Sequence, residues 1–100
     1  MKKYPVVYLP SAEKDIMALF DYIQRDSPAR AAKFVQKIDR KISRLETFPL
    51  SGSLLKDATI RSKDFRVVVV DDYLVFYRFE KKGVFIHRIF HGRRRFQFLF

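Results

Sequence analysis

Between Val6 and Leu45 the spacing of apolar residues changes from that of a strand to that of two helices. Val6-Val7-Tyr8-Leu9 is a short β-rich run ending at Pro10, whose missing amide would break a central ladder, so it reads as a first strand. Ala12, Ile16, Leu19, Phe20 and Ile23 then recur at helical spacing and predict a helix over roughly Ala12 to Arg25. Ser11 is its expected N-cap and Glu13 suits the positive end of the helix dipole, although Lys14 stands where a capping box would place an acid. Ser27-Pro28 repeats the start signal, because proline in a first turn loses no hydrogen bond and has its φ already set. Ala31, Phe34, Val35, Ile38, Ile42 and Leu45 form the apolar stripe of this second helix, with Lys33, Lys37, Arg40, Lys41 and Arg44 mostly elsewhere around it. It ends before Phe48-Pro49, and the short connection to the first helix predicts an antiparallel hairpin.

From Leu50 to Asp64 no period is visible, and Ser51-Gly52-Ser53 suggests a loop. Phe65 to Val70, Tyr73 to Phe79 and Val84 to Phe90 are β-branched and aromatic runs broken by Asp71-Asp72 and by Glu80-Lys81-Lys82-Gly83. They predict a three-stranded antiparallel meander. In its second strand Tyr73 and Tyr77 fall on one side, Leu74 and Phe76 on the other, all four as packing aromatics or aliphatics. The expected architecture is an α+β domain: an N-terminal strand, a two-helix hairpin, then the meander, with the helices on one face of a small sheet.

A chain of 100 residues, 48% hydrophobic, can bury one modest core, so residues 1–100 are expected to form a single domain. Its 21 Lys+Arg against 11 Asp+Glu leave a net charge of +10, more than solubility needs, which implies an anionic partner. Charge alone does not rank nucleic acid, an acidic protein and a membrane surface. Without cysteine there are no disulfides, thiolate metal sites or cysteine nucleophiles, as suits a reducing cytosol. The apolar stretch after Met1 is too short for a signal peptide or a membrane span, so the chain reads as cytoplasmic, without membrane association.

After Glu80 no acidic residue follows, while Arg88, Arg93, Arg94 and Arg95 gather four guanidiniums near His87 and His91. Such clusters grip phosphates or carboxylates through paired hydrogen bonds, and Phe96 and Phe98 could add stacking. Arg66 and Arg78 open and nearly close two meander strands; a surface place, or an ion pair to Glu80 or Asp72, is the commoner fate of such residues. His91, before Gly92, is the general acid–base candidate. On a regular strand His87 and His91 would lie on one face about 13 Å apart, too far to share a metal, and no metal or cofactor is expected. Phe98-Leu99-Phe100 should either dock on the core or pack against a partner. No phosphate-cradling glycine loop, hydrolase elbow or paired-carboxylate site points to a small-molecule substrate.

These residues in series resemble the RelE/ParE toxins of bacterial toxin–antitoxin systems. Pro10-Ser11-Ala12-Glu13-Lys14-Asp15-Ile16 and Asp21-Tyr22-Ile23 look like the start of such a toxin; Phe48-Pro49-x-x-Gly52, the Arg66 strand, Tyr73-Leu74-Val75-Phe76-Tyr77-Arg78 and His91-Gly92-Arg93-Arg94 are similar to later landmarks. The resemblance spans nearly the whole chain in order and spacing; no single piece is specific. It implies a basic toxin covered by an acidic antitoxin, and one of two activities: cleavage of ribosome-bound mRNA, or poisoning of DNA gyrase. Ribonuclease members generally carry an arginine where this chain has Leu74, and often end in a catalytic tyrosine where it has Phe98 and Phe100. Leucine cannot stabilise a pentavalent phosphate and phenylalanine has no proton to give. The resemblance is therefore closer to the ParE-like branch, with Arg78, Arg88, Arg93, Arg94 and Arg95 as target-binding candidates and Phe96, Phe98 and Phe100 as antitoxin-binding ones. A RelE-like site would instead use Arg66, His91 and Arg94, and a third reading is a non-toxic relative that only binds antitoxin.

Overall fold

A computed structural model describes residues 2–54 and 64–93 of the chain. The elements are β1 (Val6–Tyr8), α1 (Pro10–Asp26), α2 (Pro28–Ser43), a 3-10 turn (Arg44–Glu46), β2 (Ser53–Leu54), β3 (Arg66–Val70), β4 (Tyr73–Glu80) and β5 (Gly83–His91). They build a five-stranded sheet in the order β1-β5-β4-β3-β2 with the helix hairpin over one face.

The expected meander is present, but two features differ from the predicted architecture. The sheet is mixed, because β1 lies parallel to β5, with Val6 beside Val84 and Tyr8 beside Ile86. A further strand, β2, pairs antiparallel with the start of β3 inside the segment read as loop. Strands of three and two residues carry too little pattern to announce their partners. The pairing depends on which edge the helix hairpin leaves within reach, and Pro5 and Pro10 suit β1 to an edge.

Helix α2 starts as its sequence signals: Ser27 accepts a hydrogen bond from the Arg30 amide at 3.2 Å and Pro28 opens the first turn. Helix α1 does not. Pro10 is its first residue, Leu9 caps it without a side-chain bond, and the expected cap Ser11 donates instead to the His87 carbonyl at 2.6 Å. Pro10, expected only to end the first strand, has its φ already set for a helix and needs no hydrogen-bond acceptor there, so it opens α1 ahead of the serine.

The core between helices and sheet holds Ala12, Ile23, Ala31, Phe34, Ile38, Ile42, Leu45 and, from the sheet, Val70, Val75, Tyr77, Val84, Ile86 and Ile89. Val35, placed by spacing in the same stripe, is 37% exposed. The opposite face carries a smaller cluster of Phe65, Phe76 and Phe90 with Val67 and Leu74. Thus Tyr73 and Tyr77 pack on the helix side and Leu74 and Phe76 on the other, as alternation predicts.

A β-bulge between β4 and β5 decides where the histidines go. Phe76 pairs with Arg88 but Tyr77 with Ile86, so β5 carries one residue more and its side-chain alternation reverses there. His87 meets the edge of Phe65 at 4.8 Å on the outer face, whereas His91 meets Tyr73 at 5.5 Å on the helix face. The expectation of both histidines on one face is overturned by that single extra residue.

Candidate functional site

The basic residues singled out by sequence occupy four separate settings. Arg66 lies at the β2 end of the sheet, where its Nη1 donates to the carbonyls of Leu50 (3.1 Å) and Gly52 (2.9 Å). Those carbonyls belong to a loop pinned by Tyr77, whose hydroxyl accepts from the Gly52 amide at 2.8 Å and donates to the Pro49 carbonyl at 2.9 Å. Burial raises the Tyr77 pKa above 10, against the lowering effects of the Gly52 bond and Arg66, so the hydroxyl keeps the proton it donates.

Arg88 leans over the ring of Phe90, 4.7 Å from its centroid, and grips Asp15 of α1 through Nε (2.8 Å) and Nη2 (3.0 Å). The same carboxylate accepts the Ile89 amide at 2.9 Å. Ser11 and Asp15, one helical turn apart, thus take over the edge of β5 where β1 ends. The hydrogen bonds to Asp15 raise the Arg88 pKa further above its usual value.

Arg78 stands on the outer face over Phe65, 5.7 Å from the ring centroid, and reaches Glu80 at 3.4 Å, one of the two ion partners anticipated for it. Its Nε and the Nε2 of His87 are both buried without a hydrogen-bond partner. Burial first, and the Arg78 charge second, lower the His87 pKa below 6.5, while Glu80 acts weakly the other way. The unfolded chain therefore takes up this proton more readily than the folded one, so stability present above about pH 6.5 falls as pH drops through that value. Denaturation midpoints compared at about pH 7 and pH 5.5 should fall less in His87→Gln than in the parent chain; an equal fall in both would disprove the assignment.

His91 and Arg93 form the fourth setting, at the opposite end of the sheet from Arg66. The Arg93 amide donates to His91 Nδ1 at 3.2 Å, leaving Nε2 as the proton-bearing nitrogen of a neutral ring. Arg66 pairs with Tyr77 and His91 with Tyr73, so these two candidates sit two strands apart and four residues displaced, roughly 16 Å by strand geometry. The fold does not bring them together. Arg94, Arg95, Phe96, Phe98 and Phe100 lie outside the described residues.

Leu74, the residue that departs from the ribonuclease pattern, packs with Phe65, Phe76, Phe90 and Val67. Among the described residues no group of three or more His, Cys, Asp or Glu could hold a metal ion. No described helix is long and apolar enough to cross a membrane.

Sequence reasoning passed over one arrangement, the flank of α2 that faces β3. Arg30, Lys33 and Lys37 line a cleft of about 210 Å³ with Val70, Asp71 and Tyr73. Lys41 and Arg44 line a second, of about 270 Å³, with Val67, Val68 and Val69. The signal was available as a spacing of 3, 4, 4 and 3 residues between these five cations.

Comparison with known proteins places this architecture. The model of the family described as ParE toxin of type II toxin-antitoxin system, parDE, matches residues 6–96. No curated protein matches the chain. Among solved structures, the chromosomal ParDE toxin–antitoxin system from P. aeruginosa is similar at a TM-score of 0.71 and 20% identity, over 89% of this chain and 96% of that one. At that identity the likeness speaks for the fold.

Proposed function

The chain belongs to the ParE toxin family of type II toxin–antitoxin systems, and on that premise we propose that it is a ParE-like toxin that inhibits DNA gyrase and is neutralised by a cognate acidic antitoxin. What carries this reading against mRNA cleavage is the separation of Arg66 from His91, with the Arg66 guanidinium held by two loop carbonyls. A phosphoryl-transfer site needs its donors within hydrogen-bond reach of one phosphate. The apolar setting of Leu74 supports the same side.

The target contacts fall to the basic C-terminal region, Arg93 with Arg94 and Arg95, together with exposed residues of the hairpin such as Met17 and Tyr22. Arg78 and Arg88 serve it less directly, since each already holds a carboxylate. The charge of +10 would steer an acidic antitoxin, making its on-rate fall with ionic strength.

The test is expression from a tightly controlled promoter without antitoxin, followed by gyrase-linked DNA breaks and by mapping of message ends in the same cells. The expected result is growth arrest with DNA breaks and intact messages, and loss of supercoiling by purified gyrase. Codon-phased message cuts would replace this reading with an endoribonuclease, and harmless expression would replace it with a non-toxic antitoxin-binding relative.

A further inference from the structure

We propose that the end of the sheet where β4 turns into β5 is a membrane-contact surface, at which Phe48 and Leu50 enter the interfacial layer of an anionic bilayer while Lys2, Lys3, Lys81 and Lys82 meet its headgroups. This runs against the sequence expectation of no membrane association. That expectation rested on the lack of a span, and a contact that lies on the bilayer needs none. It is independent of the toxin reading.

Three chain segments meet at this end. The Tyr4 amide donates to the Glu46 carbonyl at 2.8 Å, tying residues 2–5 to the turn before Phe48, and the Val84 amide donates to the Pro5 carbonyl at 2.9 Å, tying them to the β4-β5 hairpin. The Tyr4 ring stands edge-on to Phe79 at 4.9 Å. With Phe48, Pro49 and Leu50 these rings line an open, mainly apolar cleft of about 450 Å³. Phe48 and Leu50 are each 57% exposed, one on either side of Pro49. Tyr77 holds the Pro49 carbonyl and the Gly52 amide, so the loop is pinned with both apolar side chains in water.

Cations surround that apolar pair. Lys2 Nζ lies 5.4 Å from the Tyr4 ring centroid, Lys3 is its neighbour in the chain, and Lys81 and Lys82 form the hairpin tip just beyond Phe79 and Glu80. All four are exposed. Residues 2–5, 46–51 and 79–83 hold two acids against them, Glu46 and Glu80, and Glu80 already pairs with Arg78 at 3.4 Å.

The backbone of the tip is a second, separate observation. Glu80 pairs with Gly83, so Lys81 and Lys82 are the two central residues of a tight turn, at φ of 51° and 59°. Turns of this kind favour Asn-Gly, because other side chains are strained in the left-handed region. No ion pair to a described residue holds either lysine. Strain at an exposed tip, carrying charge that the fold itself does not use, points to a use outside the fold.

Exposed apolar side chains ringed by lysines suit an anionic bilayer, since binding there grows with buried apolar area and with the attraction of each lysine to the headgroups. The half-buried Tyr4 ring, between the apolar pair and Lys2, is of the type that favours the bilayer interface. A phosphodiester chain could use the lysines, but Leu50 offers no ring on which a base can stack.

The experiment uses the full chain and vesicles of phosphatidylcholine, with and without phosphatidylglycerol, read by co-sedimentation. The chain is expected to bind the anionic vesicles roughly tenfold more tightly than the neutral ones, and to leave them as salt rises. Phe48→Ser/Leu50→Ser should weaken binding by roughly tenfold. Lys81→Asn/Lys82→Gly, which gives the turn its favoured residues, should lose roughly tenfold while its urea midpoint holds or rises. Lys14→Gln/Lys33→Gln, with the same change in net charge, should stay within about twofold. The chain has no tryptophan, so Phe48→Trp places a single fluorophore in the patch, and its emission should move to the blue on anionic vesicles. No binding, equal binding to neutral vesicles, equal loss in both lysine pairs, or an unmoved emission would overturn the proposal. So would tighter binding of a single-stranded thymidine oligonucleotide through the same residues, or self-association of the chain that Phe48→Ser/Leu50→Ser abolishes.

Discussion

Gly52→Ala should destabilise the protein by about 2–4 kcal/mol, read as a drop of roughly 2 M in the urea midpoint. A Cβ at this position would stand 2.5 Å from the Tyr77 hydroxyl oxygen and 2.6 Å from ring carbon Cε1. The ring has nowhere to go, since Tyr77 is fully buried. Relief must come from lifting the loop, which gives up the Gly52 amide to Tyr77 and Tyr77 to Pro49 bonds and disturbs the Arg66 bonds to Leu50 and Gly52. Gly52 has no positive φ, so the requirement is for space and not for backbone freedom. Tyr77→Phe makes the comparison: it leaves the Gly52 amide and Pro49 carbonyl without their partner and should lose about 1–3 kcal/mol without any clash. Should Gly52→Ala lie within about 0.5 kcal/mol of the parent, the loop accommodates the methyl and this contact is not a constraint.

The second large effect is expected at Asp15. Asp15→Ala should lose about 2–4 kcal/mol at neutral pH, because it strands a guanidinium only 21% exposed and an Ile89 amide at the end of the β1 pairing. Asp15→Asn keeps an acceptor and should lose less, about 1–2 kcal/mol. The paired change Asp15→Ala/Arg88→Met removes both charges and replaces the guanidinium by an apolar chain that can still cover Phe90. It should recover part of the loss, giving a coupling energy of about 1–3 kcal/mol in a double-mutant cycle. Strict additivity in that cycle would mean that Asp15 acts only through the Ile89 amide. This arginine is the clearest case of a residue whose sequence setting misleads: in a cluster without nearby acids it reads as free for a target, yet its partner lies 73 positions earlier.

The site was less legible than the fold for the same reason. The arginines were visible as a group, but a guanidinium's role depends on which acceptors the fold brings to it, and those acceptors are far away in sequence. Arg66 is engaged by a loop 14 to 16 residues before it, and Arg78 by Glu80 two residues on. Only the last of these could be read locally, and it was among the alternatives weighed. The cation row of α2 was legible in principle, yet a row of lysines and arginines on a helix is ordinary until the clefts toward β3 are found beside it.

What the sequence determined by itself is whatever short-range physics controls. Helical and alternating spacings placed α1, the start of α2 and the β3-β4-β5 meander to within a residue or two, whereas α2 ends at Ser43 and passes into the 3-10 turn Arg44–Glu46 before the expected stop at Phe48-Pro49. Ser27-Pro28 set the start of α2, and alternation sorted Tyr73 and Tyr77 from Leu74 and Phe76. What only the tertiary structure decided is whatever depends on pairing across long separations. That includes the parallel place of β1 beside β5, the two-residue β2, and Ser11 turned from its own helix to His87. It also includes the bulge that sends His87 and His91 to opposite faces. Local preferences of a few tenths of a kcal/mol per residue select helix or strand, but register and partner are fixed by which apolar faces can be buried together, a property of the packed chain and of no segment within it.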